Sequence, residues 1–168
     1  SCLSNLTQTG HAAQLYSDDF SGRILGLWQE GGAWGNWTGW VEALGKGGHL
    51  DKNVPAYSCP SEHFKPQSLA YSSLRNYCFG INLYSSSLRK NQNGTQVITT
   101  ASGDKCTFIN IAALNASSEY PCFSDSASLW YLNTYNLKKQ HNHAELIWLK
   151  HSLRANVVFA DGHVKSLD

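Results

Sequence analysis

The chain has 168 residues, long enough for one domain with a sizeable core, and carries a net charge of +1 with only 15% charged residues. That balance excludes a basic nucleic-acid footprint and a charged solvated tail, and no run approaches the ~18 apolar residues that a membrane span needs. The weight falls on Ser, Asn, Gly and aromatics, with six Trp and eight Tyr, which suits a polar, loop-rich surface. No methionine occurs anywhere, so residue 1 reads as a cut point in something longer.

Residues 1–20 read as an amphipathic helix, with Cys2, Leu3, Leu6, Gly10, Ala13 and Tyr16 at three- and four-residue spacing. Ser21-Gly22 supplies the stop. A helix that starts abruptly, without a capping box, predicts the C-terminal half of a longer one. Ile24 to Trp28 reads as a short strand or the end of a turn, and Trp37 to Gly45 as a short helix capped by Gly45. Two readings compete for Trp28, Trp34, Trp37 and Trp40. They form a stacking platform for sugar rings or a partner, or they fill the seam between the helix and the loop wrapping it.

Pro60 and Pro66 make a loop around Cys59, and Asn76 to Asn82 reads as a strand. Asn93-Gly94 favours a tight turn ahead of a strand over Val97 to Thr100. Thr107 to Leu114 is ambiguous between strand and helix. Tyr120 to Asp125 reads as a strand that Pro121 confines to an edge, followed by a turn over Asp125 to Ser128. His141 and His143, at i and i+2, suit two ligands on one strand face but lack a third at recognisable spacing, and a solvated loop is the competing reading. Cys2, Cys59, Cys78, Cys106 and Cys122 are too scattered for a zinc motif, and their odd count leaves one unpaired even if the others bridge. Cys59 with Cys78 is one pairing, and buried thiols are the alternative.

Val157, Val158 and Phe159 form a β-branched and aromatic run, and Asp161-Gly162 behind it is a strong hairpin signal. A two-residue type I′ turn there pairs Ala160 with His163, Phe159 with Val164 and Val157 with Ser166. Val157, Phe159 and Val164 then share one face, and His163 and Lys165 the other.

Several segments resemble a family. Ser1 to Gln8, Tyr16 to Arg23, Cys59-Pro60-Ser61, Tyr77 to Asn82, Asn115 to Asp125, and His151 followed after nine residues by Asp161-Gly162 are similar, in order, to the prepilin-type His-x9-Asp-Gly proteins, which look like type II secretion pseudopilins. The resemblance implies an α+β, pilin-like fold in a single unit over 1–168. Residues 1–20 would be the remnant of a stalk helix packed on a small antiparallel sheet with long loops, and 23–168 the sheet region. It implies a non-enzymatic subunit of a type II secretion or type IV pilus-like assembly. Such a subunit is anchored in the inner membrane only through an upstream helix, by which it meets other pilin-like subunits, with its head in the periplasm or outside the cell. The fragment itself would be soluble, with no nucleic-acid partner. Its cysteines would suit an oxidising space. The alternative is a surface module that binds glycan or protein through the tryptophans between 28 and 40.

His151 and Asp161 invite a catalytic dyad. An extended strand from Asn156 to Ala160 holds its ends ~13–17 Å apart, so the two meet only if 151–155 doubles back. No nucleophile motif accompanies them. Structural roles are more economical: Gly162 supplies a positive φ at the turn, Asp161 caps backbone N–H groups beside it, and His151 and Asn156 tie a preceding loop to the sheet. The resemblance also raises calcium, which major pseudopilins hold in a C-terminal loop, with Asp125 and Asp161 as candidate ligands; no other cofactor is expected.

Overall fold

The computed structural model describes residues 1–29, 37–51, 55–60, 79–81, 94–127, 146–147 and 151–168. The expectations for Trp34, Cys78, His141 and His143, and for most of the strand from Asn76, fall outside them.

Helix α1 spans Cys2–Asp19. Its start is capped after all: the Ser1 hydroxyl accepts the Ser4 N–H at 3.2 Å. The buried stripe runs through Cys2, Leu6, Thr9, Gly10, Ala13 and Tyr16, whereas Leu3, expected inside, is 45% exposed. Thr9 takes a core position because its hydroxyl donates to the Ala56 carbonyl at 2.6 Å, which meets the cost of burying it. The chain leaves the helix through Ser21 and Gly22, both at positive φ, with the Gly22 N–H on the Ser17 carbonyl.

The strands follow as β1 (Arg23–Gln29), β2 (Trp37–Gly39), β3 (Gly80–Ile81), β4 (Thr95–Thr99), β5 (Lys105–Asn110), β6 (Pro121–Ser124), β7 (Ser126–Ala127), β8 (Leu146–Ile147), β9 (Ala155–Phe159) and β10 (Val164–Leu167). Helix α2 (Trp40–Lys46) follows β2 and runs past the expected Gly45 stop to a cap at Gly47. Every described pairing is antiparallel. Two four-stranded sheets result, ordered β2-β1-β5-β4 and β10-β9-β6-β3, with β7 and β8 as a separate pair. The protein is therefore α+β with an N-terminal helix on small antiparallel sheets, two of them substantial where one was expected. The ambiguous segment at Thr107 resolves into β5 followed by a single 3-10 turn at Ile111–Ala113.

Two local expectations change. Strand β6 is not an edge: it lies between β9 and β3. Pro121 is tolerated because it is the first residue of the strand and the register shifts beside it, so no ladder donor is lost in mid-strand. The segment after Asp125 is not a free turn, since Ser126 and Ala127 pair with β8.

The terminal hairpin also differs in register. Val164 pairs with Val158, Lys165 with Val157 and Ser166 with Asn156, one residue from the expected alignment. The Gly162 N–H bonds the Phe159 carbonyl and the Phe159 N–H bonds the His163 carbonyl, each at 2.9 Å, with Gly162 at φ 87°. This is a three-residue loop with glycine in the left-handed bulge position, a geometry that Asp-Gly serves as well as a two-residue turn. Because side chains alternate, the slip exchanges faces: Val158 joins Val164, while Val157 and Phe159 join Lys165. Both Val157 and Val158 are nonetheless buried.

Helix α1 lies along β9 on the Val158 side and also touches β1, so it contributes to both large sheets. Gly10 makes the close approach: a Cβ there would stand 2.8 Å from a Val158 methyl. Leu6, Ile24, Val41, Leu44, Ile109, Tyr120, Phe123 and Val158 join one core. Full burial of each such aliphatic or aromatic side chain is worth about 1.5–3 kcal/mol.

Candidate functional site

The first turn of α1, a short loop, the end of β6 and the turn before β9 meet at one point. Cys2, on the inner face of α1, donates its thiol proton to Asp125 Oδ1 at 3.1 Å. Cys59 arrives on the loop behind the 3-10 turn Pro55–Tyr57. That loop is fastened to the helix twice, by Thr9 on the Ala56 carbonyl and by Asn5 Nδ2 on the Ser58 carbonyl at 2.9 Å. Asn5 and Thr9 follow Cys2 at helical spacing on the same side, so the face that holds the loop also presents the thiol.

Asp125 sits where the chain passes from β6 to β7. Its backbone N–H bonds the Asn156 carbonyl, and its Oδ2 accepts from both the Asn156 N–H at 2.9 Å and Asn156 Nδ2 at 3.1 Å. Asn156 in turn accepts from Ser166 Oγ at 2.6 Å, which fixes its amide.

His151 reaches the same carboxylate, with Nε2 at 3.3 Å from Asp125 Oδ2 and 3.6 Å from Cys59 Sγ. It is aimed there by a reversal in which the His151 and Arg154 backbones exchange hydrogen bonds and Ser152 and Leu153 stand at φ 53° and 65°. Positive φ at both central positions is the signature of a type I′ turn, here without Asn or Gly. Two L-residues in that region cost about 1–2 kcal/mol each.

The ligand-type atoms of Cys2, Cys59, Asp125 and His151 all lie within 4.8 Å of one another. Cys2, Cys59 and Asp125 are buried, and only His151 opens to solvent, with 27% of its side chain exposed. The Cys59 interaction, burial and the Asp125 charge push the Cys2 thiol well above its usual range, so on its own it is no nucleophile. Among the described residues Cys2, Cys59, Cys106 and Cys122 form no disulfide with one another, and the suggested pairing of Cys59 with Cys78 lies outside them. Burial, with a smaller push from Asp161, likewise raises Cys122.

The motif residues separate into two places. His151 and Asn156 stand at the cluster, at one end of β9. Asp161, Gly162 and His163 stand at the other end, where Asp161 Oδ1 accepts the His163 N–H and meets His163 Nδ1 at 2.6 Å. The His163 ring stacks on Phe159 at 4.3 Å. The chain between 151 and 155 does double back, but it delivers His151 to Asp125 and not to Asp161. Asp125 and Asp161 take separate sets of partners and do not form a joint calcium site. The Cys59–His151–Asp125 arrangement also differs from that of a relay. A relay uses one ring nitrogen toward the nucleophile and the other toward the carboxylate, whereas here Nε2 faces both.

Among the tryptophans, Trp40 is 3% exposed, donates its indole N–H to the Phe79 carbonyl and packs 4.7 Å from the Phe123 ring. It serves the seam between α2 and the sheet and offers nothing to a sugar. Trp28 and Trp37 lie opposite each other's neighbours in the β1–β2 ladder, Trp28 across from Thr38 and Trp37 across from Gln29.

Sequence reasoning missed Cys2, Cys59 and Asp125 as a group with His151. The spacing rules for metal and catalytic motifs are local, and these four come from separate segments. A signal was present: Cys2, Cys59, Asp125 and His151 each lie in one of the segments that carry the family resemblance. The chain matches no protein-family model, no curated protein and no solved structure.

Proposed function

We propose that this chain is the head of a pseudopilin-like assembly subunit, with α1 as the lower part of a stalk and the sheets as the outward-facing body. The observation that carries the reading is how α1 is held. It runs alongside β9, and the two ends of the His-x9-Asp-Gly motif act at two points on it. At one end His151, through Asp125, meets Cys2; at the other, Gly162 lies against the Gln14 side chain, which a Cβ would meet.

The two contact points on α1, Cys2 and Gln14, stand twelve helical steps apart, ~18 Å at ~1.5 Å each, so the motif clamps about three turns of helix. A subunit that packs through its stalk needs its head rigidly joined to that helix, and the clamp provides the joint. Its partners are other copies and related subunits through the stalk, and its membrane contact is through the stalk alone.

The test is fractionation and site-specific crosslinking of the complete gene product in its own membranes. The expected product carries about 20 apolar residues ahead of Ser1, sediments with the inner membrane and gives crosslinked ladders through the helix. A complete product without such a segment that fractionates as a soluble monomer refutes the reading.

A further inference from the structure

We infer that Cys2, Cys59, Asp125 and His151 bind one zinc-like, thiophilic divalent cation in a four-coordinate structural site that fastens the first turn of α1 to the head. The inference does not depend on the proposed function, since it rests on the cluster alone and is read on the isolated chain.

Zinc bonds to sulfur at ~2.3 Å, to imidazole nitrogen at ~2.0–2.1 Å and to carboxylate oxygen at ~2.0–2.2 Å. Around a tetrahedral ion with such bonds, neighbouring ligand atoms stand about 3.3–3.8 Å apart. The observed separations are 3.3 Å from His151 Nε2 to Asp125 Oδ2, 3.6 Å from Nε2 to Cys59 Sγ, and 3.1 Å from Cys2 Sγ to Asp125 Oδ1. All four ligand atoms lie within 4.8 Å of one another, so shifts of up to about 1 Å complete the polyhedron.

The shared use of Nε2 points the same way. One nitrogen of a neutral imidazole carries either a proton or a lone pair, so it cannot donate to Asp125 and accept from Cys59 together. A cation at the centre satisfies imidazole, carboxylate and thiolates at once. The donor set then selects the ion. Two sulfurs and an imidazole suit zinc and its soft neighbours, whereas calcium asks for six to eight oxygens.

The surroundings have the form of a closed site. Asn156 holds the carboxylate with two donors, Asn5 and Thr9 hold the Cys59 loop, and Ser166 fixes Asn156. Supporting contacts of this kind orient ligands in metal sites. The strained reversal at Ser152 and Leu153 aims His151, and strain of this sort persists where the surroundings over-determine it. Four protein ligands fill a tetrahedral ion and leave no open position for substrate, so the role is structural.

The test uses the reduced, purified chain with zinc and with cobalt as a spectroscopic probe. Expected are one bound equivalent by elemental analysis and tetrahedral cobalt bands with thiolate charge transfer. Cys2→Ser, Cys59→Ser and His151→Ala should each weaken binding by at least about tenfold, while Cys106→Ser leaves it unchanged. Should a ligand variant fail to fold, alkylation of the unaltered chain decides: zinc protects Cys2 and Cys59 but not Cys106. The inference is overturned if the folded, reduced chain takes up no zinc, if cobalt shows no thiolate bands, or if zinc leaves Cys2 and Cys59 as reactive as before. Isolation with a Cys2–Cys59 disulfide, together with no metal uptake after reduction, overturns it equally.

Discussion

Replacing Gly10 with alanine tests the seating of α1 on β9 more directly than any other change. Alanine is favoured over glycine inside a helix by about 1 kcal/mol, so on helix propensity alone Gly10→Ala should stabilise. The tertiary contact opposes this, because the new Cβ would stand 2.8 Å from Val158 Cγ1. Val158 is 1% exposed, paired on both sides and stiff at χ1, so it cannot swing clear. Overpacking of this kind costs about 1–3 kcal/mol, which leaves a net loss of up to about 2 kcal/mol. At about 2–4 °C per kcal/mol for a chain of this size, Tm falls by up to about 8 °C. Val158→Ala alone removes two methyl groups and costs about 2 kcal/mol. In that background the Gly10 methyl enters the space left behind, and the propensity gain returns. Gly10→Ala should therefore destabilise the natural chain and stabilise the Val158→Ala chain, a coupling of about 1–3 kcal/mol. Urea unfolding of the four proteins, at fixed metal content, measures it. A stabilising Gly10→Ala in the natural chain, or the same sign in both backgrounds, refutes the close approach.

Other consequences can be measured in the same way. Asn156→Ala removes a donor from buried Asp125 and the acceptor of Ser166, and should cost about 2–3 kcal/mol in denaturant unfolding. Asn156→Asp should cost more, because it sets a second carboxylate against Asp125, and equal losses would argue against the contact. Leu153 is 78% exposed at φ 65°, so Leu153→Asn, which tolerates that region, should gain about 0.5–1 kcal/mol by the same measurement. Burial raises Cys122, with Asp161 adding to it, and burial raises Tyr16. Above the ordinary thiol value of 9.0 the unfolded chain therefore releases protons that the fold retains. Stability is undiminished below that pH and declines above it, and Cys122→Ala should make the alkaline slope shallower; an identical slope would exclude the contribution.

Local chemistry was legible where it acts over a few residues. Helix α1 follows from three- and four-residue spacing, β1 and β4 from their apolar and β-branched runs, and the terminal hairpin from Asp161-Gly162. The hairpin register was not legible, because Asp-Gly fits a two-residue turn and a three-residue bulged loop alike. The choice changes which faces Val157 and Val158 occupy, and only α1 lying on the Val158 side distinguishes them. Pro121 misled for a related reason. A missing N–H is excluded from the middle of a ladder but not from its first residue, and which of these applies depends on where β9 and β3 pair.

By itself the sequence determined the amphipathic helix and the strands with strong β-branched or aromatic character, and its family resemblance singled out His151, Asn156 and Gly162. The tertiary structure alone decided what His151 faces. Cys2, Cys59 and Asp125 stand far from it along the chain, and no spacing rule links them. They meet because α1 lies along β9, because Asn5 and Thr9 hold the Cys59 loop against that helix, and because β6 pairs with β9 and so brings Asp125 beside Asn156. Contacts of this range are fixed by how the layers pack, and local propensity carries no information about that.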